Sequence, residues 1–141
     1  MTTEEVLSIL TEPKKKVHIV NCYKSEIANL HSLATSLKSF AFEKERVSGG
    51  NCDNNAHYVA VIEKILVKEE QMQEVINSYI VAYNKAELFI GNLSSEELRA
   101  VLRNRYLLCL SYKEIAEKMH YSERHIRRFH SKALKILEKV L

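Results

Sequence analysis

A chain of 141 residues with 46% hydrophobic and 28% charged side chains can build one ordinary domain, or a small domain joined to a long helical element, and is too short for a large enzyme. One proline and three glycines leave few places to break a helix, so the composition reads as mostly helical. The net charge of +3 is uneven: residues 92–141 hold 11 Lys/Arg and 6 Asp/Glu against 10 and 12 in residues 1–91, so attraction to a polyanion is confined to the C-terminal third.

Cys22, Cys52 and Cys109 are odd in number, widely spaced and free of C-x-x-C pairing, which reads as reduced thiols. The N-terminus lacks the basic-then-apolar order of a signal peptide. No apolar run approaches the roughly 20 residues of a membrane span. A soluble, cytoplasmic protein without a membrane partner is expected.

Residues 1–16 are expected to form an N-terminal arm: Val6, Leu7, Ile9 and Leu10 make a short apolar pattern that Pro13 should interrupt. After Lys14–Lys16, apolar residues alternate by three and four at Val20, Tyr23, Ile27, Leu30, Ala34, Leu37 and Ala41, the heptad seam of a long helix. The stretch from Val47 to Asn55 is dense in turn formers and reads as a loop. The same alternation returns at Tyr58, Ile62, Ile65, Met72, Ile76, Tyr79, Tyr83, Ala86 and Ile90, with Glu69 as a charged intruder.

Two such helices should fold back as an antiparallel hairpin over residues 17–91, each about 45 Å long. Val59, Val61, Leu66 and Val75 lie off the seam, so a second copy of the chain is expected to cover them in a homodimer. Gly91 and Asn92 should end the second helix, with glycine in the left-handed conformation.

Residues 92–141 read as a small separate domain. Ser94 to Glu97 has the form of a capping box, opening a helix through Leu98, Val101, Leu102, Tyr106 and Leu107. Ser111 to Glu114 repeats that form before a short helix with Ile115, Ala116 and Met119. Ser122 caps a third helix whose inner face is Ile126, Phe129, Ala133, Leu134 and Leu137. Helix, tight turn, helix is the result: Ala116 supplies the small residue at the crossing and His120 the residue with positive φ. The fold expected is all-α, a long coiled-coil-like hairpin followed by a helix-turn-helix domain.

Burying that inner face turns Glu123, Arg124, Arg127, Arg128, Ser131 and Lys132 outward, since successive helical residues rotate by about 100°. Arginine can donate two hydrogen bonds to guanine, glutamate can accept from cytosine, and lysine can hold phosphate, so the set suits a DNA major groove. Ser122 and His125 complete the candidate DNA-binding residues, and His130 is expected beside the arginines or in solvent. His120, His125 and His130 are five apart and cannot converge on a metal. No Gly-rich phosphate loop, G-x-S-x-G or H-E-x-x-H string occurs, so no enzyme, metal or cofactor is expected.

The run from Tyr106 to Leu134, with Ser111-Tyr-Lys-Glu-Ile-Ala and Ser122-Glu-Arg-His-Ile-Arg-Arg at its centre, resembles region four of bacterial sigma factors. That resemblance covers about a third of the chain and implies promoter recognition, with Glu123, Arg124, Arg127 and Arg128 where that family reads bases. Together with the preceding hairpin, the chain is similar to small phage and prophage proteins of Firmicutes related to late-operon activators of the ArpU/RinA type, which implies a transcription regulator. Nothing resembles the sigma region that melts the −10 element. Two other readings stand beside it: a factor that binds RNA polymerase or a sigma factor without binding DNA alone, and a coiled-coil structural protein.

Overall fold

A computed structural model describes residues 2–47 and 52–140, with side chains for residues 2–39 and 55–140. Every regular element among them is helical: α1 (Thr3–Val47), α2 (Cys52–Ile90), α3 (Glu96–Leu102) leading into a π-helical turn (Arg103–Leu107), α4 (Tyr112–Met119) and α5 (Glu123–Glu138). Residues 48–51 of the expected loop lie outside the described residues, and α2 begins at Cys52, three residues before the expected start. The chain divides into two compact units, His18–Ile76 and the combination of Met1–Val17 with Asn77–Leu141.

In His18–Ile76 the heptad seam does what its spacing predicts, except that Val61, expected off the seam under a second copy, packs into it within the chain. Of the described α1 residues from Val17 to Ser39, Val20, Tyr23, Ile27, Leu30, Ala34 and Leu37 are the ones withdrawn from solvent. Ile27 and Ala34 pack with Ile65 of α2, flanked by Leu30, Tyr58, Val61, Ile62 and Met72. The antiparallel pair is held by burial of this stripe rather than by helix propensity. The Glu69 intruder stays exposed, 3.9 Å from His31 Nε2, while the half-exposed Lys68 lies 3.0 Å from Glu26 and over the Tyr23 ring at 5.5 Å. Exposed ion pairs of this kind are worth little, so the apolar seam fixes the register.

The other unit corrects the expectation for the N-terminal residues. Pro13 does not interrupt the helix: α1 runs through it from Thr3, and Pro13 is fully buried. Proline's fixed φ is helical, but it removes the hydrogen bond that the Ile9 carbonyl would have accepted and crowds that carbonyl with its ring. Against that loss stand Val6 and Leu10, both at 0% exposure in one core with Phe89, Ile90, Leu93, Leu98, Leu102, Tyr106, Ala133, Leu134 and Leu137. The Thr3 hydroxyl also donates to Glu138 at the far end of α5.

The end of α2 differs from expectation as well. Gly91 does not take the left-handed conformation; the helix tightens instead, with Asn92 N–H donating to the Phe89 carbonyl at 3.2 Å and Leu93 N–H to Ile90 at 3.1 Å. The helical path makes the glycine's freedom unnecessary, and the buried Leu93 anchors the exit. The cap of α3 is Ser95 rather than Ser94, accepting from Leu98 N–H at 3.5 Å. The expected continuous helix to Leu107 is α-helical only to Leu102. The π turn then delivers Cys109 at φ 56°, and Leu110 N–H returns to the Asn104 carbonyl at 2.9 Å.

Leu10→Ala should therefore destabilise the full chain by about 2–5 kcal/mol, the usual cost of a cavity at a fully buried leucine. Chemical denaturation followed by circular dichroism checks it. A loss below about 0.5 kcal/mol would mean that the first turns of α1 are not part of this core.

Candidate nucleic-acid interface

The frame is α4, its turn and α5. Ser111 Oγ accepts from Glu114 N–H at 3.2 Å and donates to Glu114 Oε1 at 3.1 Å, satisfying the start of α4 as its sequence predicts. His120 adopts φ 61°, ψ 39°, the left-handed conformation expected of it, and the Ala116 carbonyl accepts from His120 N–H and from Tyr121 N–H, the latter at 3.1 Å. Ser122 then caps α5, accepting from His125 N–H at 3.2 Å. Ala116 packs with Val101, Ile115 and Ile126, so a small side chain does stand where α3, α4 and α5 meet.

This packing sets the direction of every charged residue on α5. Ile126, Ala133, Leu134 and Leu137 are buried and Phe129 half-buried, while Ser122, Glu123, Arg124, His125, Arg127, Arg128, Ser131 and Lys132 are all exposed. Arg124, Arg127, Arg128, Ser131, Lys132 and Lys135 line one shallow concavity, and five of these six residues are cations. Lys135 is an addition to the residues read from sequence; its spacing of three from Lys132 and seven from Arg128 was the available signal.

Within the face the side chains are not equivalent. Glu123 accepts from Arg127 Nη2 at 3.1 Å, and the Arg127 guanidinium also lies over the Tyr112 ring at 4.6 Å. Among the described residues neither Arg124 nor Arg128 is ion-paired. His125 stacks on Tyr121, with ring centroids 5.0 Å apart and planes 14° apart, and meets the edge of Phe129 at 4.5 Å. The Tyr121 hydroxyl donates to Glu97 Oε1 at 3.2 Å, and that carboxylate raises the phenol above its ordinary value.

His130 is corrected by the structure. It belongs to neither the outer face nor the solvent: its Nε2 lies 2.6 Å from the Tyr106 hydroxyl in the half-buried interior. Burial, with a smaller contribution from Arg105, lowers the imidazole below its ordinary 6.5, and burial pushes the Tyr106 phenol up to about 12. The phenol therefore keeps its proton and the imidazole is held neutral, and the two share this hydrogen bond. Nearby, the buried Asn104 carbonyl oxygen of the side chain accepts from Lys118 Nζ at 3.0 Å, tying α4 to the π turn.

Against known proteins, the family model of Sigma-70, region 4, matches residues 92–139. No curated protein and no solved structure matches the chain. Residues 92–139 are therefore a helix-turn-helix similar to Sigma-70, region 4, covering α3, the π turn, α4 and α5. Among the described residues no helix is long and apolar enough to cross a membrane, and no group of three or more His, Cys, Asp or Glu is placed to hold a metal ion.

The His130 shift has a signed consequence. With a folded-state value below the unfolded 6.5, its contribution to stability is full above about pH 6.5 and is lost as the pH falls toward the folded value, because the unfolded chain binds the proton first. The thermal midpoint of the full chain should fall between pH 7.5 and 5.5. His130→Gln, which keeps a hydrogen-bonding group beside the Tyr106 hydroxyl but cannot titrate, should flatten that fall; an unchanged slope would remove His130 as its source.

Proposed function

We propose that this chain is a sequence-specific regulator of transcription that binds double-stranded DNA through residues 92–139, laying α5 in the major groove of a promoter. The observation that supports it best is the cationic concavity of α5, presented by a helix-turn-helix whose caps and crossing are all made. In this reading Arg124, Arg127 and Arg128 read base edges, with Glu123 beside Arg127 on the same outer face. Lys132 and Lys135 hold phosphate. Ser122, His125 and Ser131 border the same groove. The similarity to Sigma-70, region 4, supports bacterial RNA polymerase as a second partner. The sequence likeness to phage and prophage late-operon activators supports activation as the direction of control.

The α1–α2 pair supplies dimerisation in this reading. Within His18–Ile76, Ile19, Leu33, Val59, Leu66 and Val67 are exposed, which is more large apolar surface than a two-helix element presents to water at low cost. A twofold arrangement of two reading heads matches the symmetry of most homo-oligomers. At micromolar concentration the full chain should sediment as a dimer and Leu66→Lys should shift it toward monomer. A monomeric wild type would remove the dimer and leave the DNA reading intact.

The DNA reading is tested by sorting contacts. Arg128→Ala should cost about 1–3 kcal/mol on the preferred duplex and relax preference at one base pair. Lys132→Ala should weaken all sequences alike and lower the salt slope by about one unit, as one fewer phosphate is neutralised. Binding to cognate and scrambled duplexes across a salt series gives both quantities. Unchanged discrimination in both Arg127→Ala and Arg128→Ala would favour a factor that meets acidic protein surface instead.

A further inference from the structure

Among the described residues Arg127 differs from the other cations of α5 in lying over an aromatic ring from another helix. Ser111 caps α4, which fixes Tyr112 as the first helical residue, at the end of α4 away from the His120 turn. The half-buried Tyr112 ring then carries two guanidinium groups, Arg105 at 4.3 Å and Arg127 at 4.6 Å from its centroid. The ring is itself braced. Its edge meets His130 at 5.6 Å and 83°, and His130 is held by the Tyr106 hydroxyl at 2.6 Å. Arg105 is tied by Nη1 to the Leu110 carbonyl at 3.2 Å, so the second guanidinium is fixed from the backbone side.

We propose that Tyr112 is a positioning residue for Arg127, and that selectivity at the base pair read by Arg127 depends on the Tyr112 ring. The inference rests on the DNA-binding reading above and adds to it a residue of α4 that touches no base. A free arginine samples many rotamers and must lose that freedom to make a two-point contact with guanine; an arginine already laid on a braced ring has less to lose. Glu123 alone does not supply this, because an exposed i,i+4 ion pair restrains the side chain weakly. The face of a tyrosine or phenylalanine ring attracts a guanidinium, whereas an aliphatic side chain of similar volume does not.

The test uses the full chain with Tyr112→Phe, Tyr112→Leu and, should the leucine variant melt early, Tyr112→Met. In the free protein, the ring-current displacement of the Arg127 side-chain protons should persist in the phenylalanine variant and vanish in the aliphatic ones. On DNA, the aliphatic variants should lose about three- to tenfold in preference at a single base pair, with the phenylalanine variant unchanged. In an Arg127→Ala background, Tyr112→Leu should cause no further loss at that base pair. A uniform loss on cognate and scrambled duplexes that persists in the Arg127→Ala background would mean a purely structural role and overturn the proposal. A selective wild type with equally selective aliphatic variants would overturn the positioning role alone. A wild type that binds every duplex alike, or none, would overturn the DNA reading and the positioning role together.

Discussion

The seating of α5 is the constraint on which the rest of the molecule depends. Ile126, Ala133 and Leu137 are fully buried, and once they are placed the helical rotation leaves no freedom for the charged residues between them. Ile126 reaches its position because Ala116 is small and because the turn at His120 accepts a positive φ. A larger residue at 116 would separate α4 from α5 and rotate the cationic face. The cationic surface is thus a consequence of apolar packing on its far side.

Polar ties inside the domain then sharpen what packing sets. Asn104, the buried polar residue of the π turn, accepts from Lys118 and locates α4. Tyr106 and His130 join the same turn to α5 across one short hydrogen bond, and Tyr112 carries that order outward to Arg127. A buried polar pair of this kind costs little while both partners stay paired and much when one is removed. The first turns of α1 share the core that seats Leu134 and Leu137.

The all-helical fold, the seam and the outer face of α5 were legible because each is a periodicity. Every described α1 seam position is withdrawn from water, and Glu69 was identifiable as the exposed exception. The turn at His120 was legible from what it lacked, a glycine where positive φ was needed. At Pro13 the sequence misleads, because proline on average ends a helix and here lies inside α1. Val6, Leu10 and Pro13 continue the same spacing of three and four, and tertiary burial outweighed the missing hydrogen bond. His130 was readable too, four residues after Ile126 and three before Ala133, which puts it on the inner face. The π turn and Cys109 were not readable, since the positive φ there goes with the closure of Leu110 onto Asn104, whose side chain is in turn held by Lys118 of α4.

The central claim is that the face of α5 recognises a DNA sequence without help from another protein. Selection of bound duplexes from a randomised pool by the purified full chain, with no polymerase present, tests it most directly. The account predicts enrichment of one motif, containing a guanine at a position whose preference Arg128→Ala relaxes. Repeated rounds that return an unenriched pool would contradict it.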